Sequence, residues 1–186
     1  MRISRIRYLV FLFMLLVMKF SNAQNVTNSN SNINNVSGTE IIKSKSIGEI
    51  KLGMPIDDFL KLSLENKTIK KELINLEGDD YNIYNIYEHG QVIYAVEPDE
   101  EKVWRIWIYS GKLKTKKGIG IGNTLKDIRT HYQVKEFVVA EGQVAIIVEN
   151  YEFSFLLESG EIPENWWSNQ KIDTLSDNLK VGLIII

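Results

Sequence analysis

A short phrase that occurs twice constrains the fold of this chain more than any other feature. Residues 50–59 read IKLGMPIDDF and residues 119–128 read IGIGNTLKDI, so the copies align without a gap and start 69 residues apart. A second match follows each copy: His89-Gly90-Gln91-Val92 after the first and Glu141-Gly142-Gln143-Val144 after the second. Self-similarity of this kind indicates a duplicated supersecondary unit.

Each copy of the phrase predicts the end of a strand, a glycine turn and a short helix. In the first copy, Pro55 suits the first helical position, where its missing N–H costs nothing. In the second copy, Asn123 is the expected N-cap, because its side-chain oxygen accepts a backbone N–H. Both helices are expected to run for about ten residues, which is too short for stability in isolation. Each must therefore pack on a sheet.

The other regular segments predict strands. They are expected at 81–87, 91–96, 103–109, 134–140, 143–149, 152–157 and 179–186. The first two flank a His89-Gly90 turn and predict a hairpin. In the third, every second residue from Trp104 to Ile108 is apolar, so this face is expected to pack on the core.

A short helix followed by an antiparallel meander, twice over, predicts an α+β fold of two tandem repeats. The helices are expected to pack on one sheet face, which gives two layers. The folded part is expected to be a single globular domain, residues 46–186, with repeats at 46–115 and 116–186.

The N-terminal segment, residues 1–23, has the composition of a secretory signal peptide. Three arginines precede an apolar run, and Ser21-Asn22-Ala23 offers small residues for cleavage before Gln24. Lys19 ends the run too early for a membrane span. Residues 24–45 are rich in Asn and Ser, which predicts a disordered linker. We therefore expect a soluble exported protein, periplasmic or extracellular, with no transmembrane anchor after signal cleavage.

Charge and residue types argue against several function classes. Cleavage after Ala23 removes four positive charges and lowers the formal net charge from −2 to −6, which disfavours nucleic acid as a partner. The chain has no cysteine, so it offers neither a disulfide nor a thiol nucleophile. Its two histidines, His89 and His131, lack the spacing of a metal site. The glycines of 118–122 lack the spacing of a phosphate-binding loop. We predict no catalytic residue, no metal and no cofactor.

The repeated phrase resembles that of two related families. A strand ending in I-x-L-G-M, an acidic helix start and an antiparallel meander are similar to the small outer-membrane-assembly lipoproteins, which carry one such unit. They are also similar to the β-lactamase-inhibitor-protein-like group, which carries two in tandem. The shared residues are Gly53, Gly122, Asp58 and Asp127, with flanking aliphatics. The resemblance implies an exported, non-enzymatic module whose sheet surface binds another protein. It carries no inhibitor contact residue over to this chain, which also lacks the cysteines that those families use.

Aromatic side chains are the best candidates for a binding surface. Arg105, Trp107 and Tyr109 share the strand face opposite the core-like one, and Trp166-Trp167 is expected in a loop. Trp, Tyr and Arg dominate the hot spots of protein interfaces, so these five residues predict a site for a protein partner. The alternative is that the same rings pack against the rest of the fold.

Three function hypotheses follow from this surface. The first is a secreted or periplasmic adaptor or inhibitor-like module that binds a protein and catalyses nothing. The second is a carbohydrate-binding module, in which the same Trp rings would stack on a glycan. The third is a small hydrolase, which needs a pocket between the repeats with converging carboxylates or histidines. Two charged loops, Glu97–Glu101 and Lys112–Lys117, are expected to be solvated, or else to steer a partner.

Overall fold

The computed structural model describes residues 41–76, 79–140 and 142–186. The strands are β1 (Ile41–Lys43), β2 (Ser46–Ile47), β3 (Ile50–Lys51), β4 (Lys67–Leu76), β5 (Asp79–Glu88), β6 (Gln91–Asp99), β7 (Lys102–Ile108), β8 (Lys114–Thr115), β9 (Val134–Ala140), β10 (Gln143–Val148), β11 (Ser154–Leu157) and β12 (Val181–Ile185). The helices are α1 (Ile56–Leu60), α2 (Leu125–His131) and α3 (Glu164–Asn169), with 3-10 turns at Ser159–Glu161 and Ile172–Thr174. The predicted signal peptide, residues 1–23, and the linker up to residue 40 lie outside the described residues.

Eight of the strands form one antiparallel sheet in the order β4-β5-β6-β7-β12-β11-β10-β9. The first four strands lie between α1 and α2 in the chain, and the last four follow α2. The two sets meet where β12 pairs with β7, with Ile184 opposite Ile108 and Ile185 opposite Trp107. The sheet is therefore continuous from one half of the chain to the other.

The predicted fold class is wrong. We expected an α+β fold of two helix-plus-meander repeats, with helices packed on one sheet face, whereas strands dominate and the helices have only five, seven and six residues. The second half also departs from a meander, because α3 and two 3-10 turns separate β11 from β12. The second helix, α2, ends at His131 because Tyr132 and strand β9 follow directly, and the β-branched and aromatic residues of β9 favour the pleated sheet.

The two copies of the repeated phrase form the same local junction. Gly53 and Gly122 adopt φ of +79° and +83°, a conformation open to glycine because it has no Cβ. The N–H of Gly53 donates to the carbonyl of Val103 at 2.7 Å, and that of Gly122 to the carbonyl of Val181 at 2.9 Å. Each copy thus anchors the start of one of the two central strands, β7 and β12.

The two helices begin one residue later than expected. Pro55 is the N-cap of α1 rather than its first helical residue. Thr124, not Asn123, caps α2: its hydroxyl accepts the N–H of Asp127 at 3.2 Å, and the Asp127 carboxylate accepts the N–H of Thr124 at 2.8 Å. Hydrogen bonds lower the pKa of Asp127. The largest contribution comes from the Thr124 N–H, and smaller ones come from the Asn123 and Thr124 side chains. This reciprocal capping box holds the first turn of α2.

The hydrophobic core lies against one face of the eight-stranded sheet, and all three helices contribute to it. Phe59 of α1 packs edge-on against Tyr84 of β5, with ring centroids 5.7 Å apart. Tyr132, directly after α2, packs edge-on against Phe153 at 5.8 Å. The largest side chains that are fully buried are Tyr94, Phe59, Phe155, Ile42, Ile47, Ile50, Ile86, Ile106, Ile108, Leu125, Ile128 and Ile146.

A small second sheet adds the N-terminal strands to this core. Its order is β3-β2-β1-β8, with β1 antiparallel to β2 and parallel to β8. β1 lies inside the segment predicted as a linker, so the described strands begin at Ile41 rather than near Ser46. Ile42 is 1% exposed and belongs to the core. Its burial stabilises this short strand.

Candidate binding surface on the outer sheet face

The face of the eight-stranded sheet opposite the core, called the outer face here, carries its own apolar and charged side chains. The register places Ala95 and Ile185 opposite Trp107, and Glu97 opposite Arg105. Because side chains alternate along a strand, these residues point away from the core that holds Ile106 and Ile108. Four apolar outer-face residues are buried yet stand outside the core cluster: Ile83, Ala95, Ala145 and Leu156.

A β-bulge turns Trp104 toward solvent. The ladder pairs Glu97 with Arg105 but Pro98 with Val103, so Trp104 is an extra residue in β7. Val103 takes the core position and is 2% exposed, whereas Trp104 is 45% exposed. The expectation that Trp104 faces the core is wrong, because a bulge shifts the alternation on which that expectation depended.

Glu97 holds the neighbouring side chains of the outer face in place. Its carboxylate accepts a hydrogen bond from the Arg105 guanidinium at 3.2 Å and one from the Trp107 indole at 3.0 Å. The Glu97 and Arg105 side chains are only 11% and 18% exposed. The guanidinium carbon of Arg105 lies 5.9 Å from the ring centroids of both Trp104 and Trp107. We call Trp104, Arg105 and Trp107 the Trp104 patch.

Burial, more than charge pairing, sets the ionisation of this group of residues. Desolvation raises the pKa of Glu97, although the Arg105 charge and the Trp107 hydrogen bond act in the opposite direction. Desolvation likewise lowers the pKa of Arg105 against the attraction of Glu97. The ion pair therefore compensates only part of the cost of removing its charges from water.

Tyr109 follows the patch at the end of β7. Desolvation, and secondarily the charge of Glu97, raises the pKa of its phenol to about 12. The ring is half-buried and lines a shallow depression of about 190 Å³ together with Leu156, Glu158 and Leu183. Tyr109 thus extends the Trp104 patch toward the centre of the outer face.

The β6–β7 hairpin next to the patch ends in a strained acidic turn. Asp99 pairs with Lys102 and closes a two-residue loop of Glu100 and Glu101, whose φ angles are +46° and +63°. Two-residue turns with positive φ at both positions favour Asn and Gly, so two glutamates here store strain. The Glu101 carbonyl accepts the N–H of Ile56 at 2.8 Å, which joins the turn to the start of α1.

Trp166 and Trp167 do not join the other candidate residues. Both lie in α3 and not in a loop, as we had expected. Trp166 is 6% exposed and belongs to the core, and its indole donates to the Lys171 carbonyl at 2.9 Å. Trp167 is half-buried and packs edge-on against Trp166 at 5.3 Å. The structure therefore brings together Arg105, Trp107 and Tyr109 and adds Trp104, which the sequence reasoning assigned to the core.

The other residues considered as candidates lie in different surroundings. The Lys114 ammonium donates to the carbonyl of Ile121 and to the side chain of Asn123, both at 3.0 Å, so it supports the start of α2. His89 occupies the β5–β6 turn with φ of +50°. Within residues 41–76, 79–140 and 142–186, no three His, Asp or Glu side chains are grouped as metal ligands.

Comparisons with known proteins bear on the fold. No protein-family model matches the chain, and no curated protein matches it. Among solved structures, the chain is similar to the uncharacterized protein yfeY from Escherichia coli, with a TM-score of 0.57 and 18% sequence identity. The match covers 77% of this chain and 97% of yfeY. At this identity the likeness concerns the fold alone.

The described helices are too short to be membrane spans. In the part of the chain that the structure describes, no helix has both the length and the apolar character needed to cross a bilayer.

Proposed function

We propose that this chain is an exported, non-enzymatic binding module that contacts a protein partner through the Trp104 patch on its outer sheet face. The observation that carries the proposal is Trp104 itself, a large aromatic ring that is 45% exposed at a β-bulge. Bulges re-aim side chains and are common beside functional sites. An exposed Trp beside a fixed Arg and a second Trp matches the residue types of interface hot spots.

The arrangement of the patch supports recognition through contact rather than through catalysis. Glu97 fixes the Arg105 guanidinium and the Trp107 indole by hydrogen bonds. Side chains held in one geometry lose little further entropy when a partner binds, which favours affinity. The resemblance of the repeated phrase to the β-lactamase-inhibitor-protein-like group agrees with a sheet surface that meets another protein.

Site-specific photo-cross-linking in the native host tests the proposal. A photoreactive side chain at Lys102, an exposed position two residues from Trp104, is expected to capture a saturable protein partner, and adding Trp104→Ala is expected to abolish the capture. The same side chain at position 73 is the control, since Leu73 is 63% exposed at the β4 edge and away from β7 in the sheet. A partner captured equally at both positions, or at neither, would contradict the proposal. Quenching of Trp fluorescence by small glycans would favour the carbohydrate-binding hypothesis instead.

A further inference from the structure

We infer that the occupant of the Trp104 patch is a cationic polypeptide segment, which binds across Trp104 and the acidic β6–β7 turn. The inference rests on the proposed function and specifies the chemistry of the partner. Three features of the described structure carry it: the charge of the patch surroundings, the ion pair of Arg105 with Glu97, and the exposed glutamates of the turn.

The surroundings of Trp104 are acidic at one end. Asp99, Glu100 and Glu101 are all exposed, and Lys102 is the one cation of residues 99–104. The hydrogen bond from Ile56 to Glu101 brings the first turn of α1 to the same end. That turn adds two exposed carboxylates, Asp57 and Asp58, of which Asp58 lies 3.4 Å from Lys61.

The arginine of the patch is already paired and does not offset this charge. Both Glu97 oxygens face Arg105, with N–O distances of 3.2 Å. An approaching anion would have to compete with Glu97 for that guanidinium and would also meet Glu100 and Glu101. A partner Lys or Arg would instead gain attraction from the turn and could stack on the exposed ring of Trp104.

The turn keeps glutamates where glycine or asparagine would be less strained. Positive φ at two successive non-glycine residues costs stability, yet Glu100 and Glu101 both adopt it. The turn therefore presents two carboxylates at an exposed tip in spite of this cost. Their position beside the bulged Trp104 joins a charged contact and an aromatic contact in one surface.

Selection of a random-peptide library on the purified full chain tests the inference. Enriched peptides are expected to be rich in Arg and Lys. Their affinity, measured by isothermal titration calorimetry, is expected to fall at least about tenfold in Trp104→Ala. It should fall similarly in Glu100→Gln/Glu101→Gln, and it should weaken as salt is added. The matched control is Glu161→Gln/Glu164→Gln, which makes the same change of charge near α3 and should leave affinity unchanged.

The outcomes separate this inference from the proposed function. Neutral or acidic peptides whose binding is lost in Trp104→Ala would overturn the cationic partner while keeping the Trp104 patch as the binding surface. Peptides indifferent to both variants, or a library without enrichment, would also overturn the inference, and the cross-linking at position 102 would then decide the proposed function independently. Circular dichroism of each variant establishes that the lost affinity does not reflect unfolding.

Discussion

Glu97 and Arg105 form an ion pair whose side chains are only 11% and 18% exposed. Such a pair is a poor stabiliser, because each charge loses its hydration when it is buried. The raised pKa of Glu97 gives the direction of the balance: desolvation outweighs the attraction of Arg105. The pair instead fixes geometry: Glu97 holds the Arg105 guanidinium and the Trp107 indole beside Trp104.

This balance predicts the effect of Glu97→Gln on stability as a function of pH. The folded chain holds the Glu97 proton more tightly than the unfolded chain, whose pKa is near the ordinary 4.5. The stability linked to this proton is therefore full below pH 4.5 and is lost as the pH rises through the folded-state pKa. A neutral glutamine still accepts the indole hydrogen bond and avoids the desolvated charge. We expect Glu97→Gln to be more stable than the wild type at pH 8 and equal to it near pH 4.5.

Urea unfolding of both proteins across this pH range checks the expectation. Glu136→Gln, an exposed position on β9, is the control and should show no comparable trend. If Glu97→Gln is instead less stable than the wild type at pH 8, the attraction of Arg105 exceeds the desolvation of Glu97.

At the scale of elements, the hairpins show which turns the sequence specifies well. The His89-Gly90 hairpin formed as expected between β5 and β6, because glycine accepts the positive φ that such a turn needs. The strand predicted at 134–140 is also confirmed, with the same bounds as β9. The bulge at Trp104 was missed, because neither glycine nor proline stands at that residue to signal it. The nearest signal is Pro98, which cannot donate a ladder hydrogen bond and is often found at bulges.

The β6–β7 turn gives a prediction at this scale. Replacing Glu100→Asn and Glu101→Gly should raise the free energy of unfolding by about 1 kcal/mol, because Asn-Gly suits positive φ at both positions. Urea denaturation measures the change. Glu100→Gln/Glu101→Gln separates charge from backbone conformation: it removes the same two charges but keeps side chains that are strained at positive φ. A gain of equal size in that control would show that repulsion between carboxylates, rather than φ, limits stability.

At the scale of the whole molecule, the seam between β7 and β12 makes one sheet out of two halves. Ile184 is fully buried at this seam opposite Ile108. The backbones of Ile106 and Ile186 exchange two hydrogen bonds of 3.0 Å beside it. Since the halves share both this seam and the core, we expect them to unfold together.

A substitution at the seam tests this cooperativity. Ile184→Ala should lower the free energy of unfolding by about 3 kcal/mol, through lost burial and the cavity left behind. It should do so in one transition seen equally by far-ultraviolet circular dichroism and Trp fluorescence. Leu73→Ala, at an exposed position, should change stability by less than about 0.5 kcal/mol. Two separate transitions in Ile184→Ala would mean that the halves fold independently.

Local structure follows from the sequence wherever a backbone conformation is open to few residue types. Gly53 and Gly122 mark the two junctions because positive φ is open to glycine, and the His89-Gly90 turn follows from the same physics. Arg105, Trp107 and Tyr109 were found as candidates because alternation places them on one strand face. The individual segments also showed their strand propensity. The fold-class prediction was wrong because it gave the two helix starts too much weight relative to these strands.

Which side chains meet depends on how distant segments of the chain pack together. The bulge that exposes Trp104 depends on how β6 and β7 pair, and the burial of Trp166 depends on where α3 docks. Both are set by contacts between segments far apart in the chain, whose net free energy local propensity does not contain. For the same reason the mostly-β class emerged from the tertiary structure: eight strands from two halves share one sheet, and its seam joins residues far apart in the sequence, such as Ile108 and Ile184.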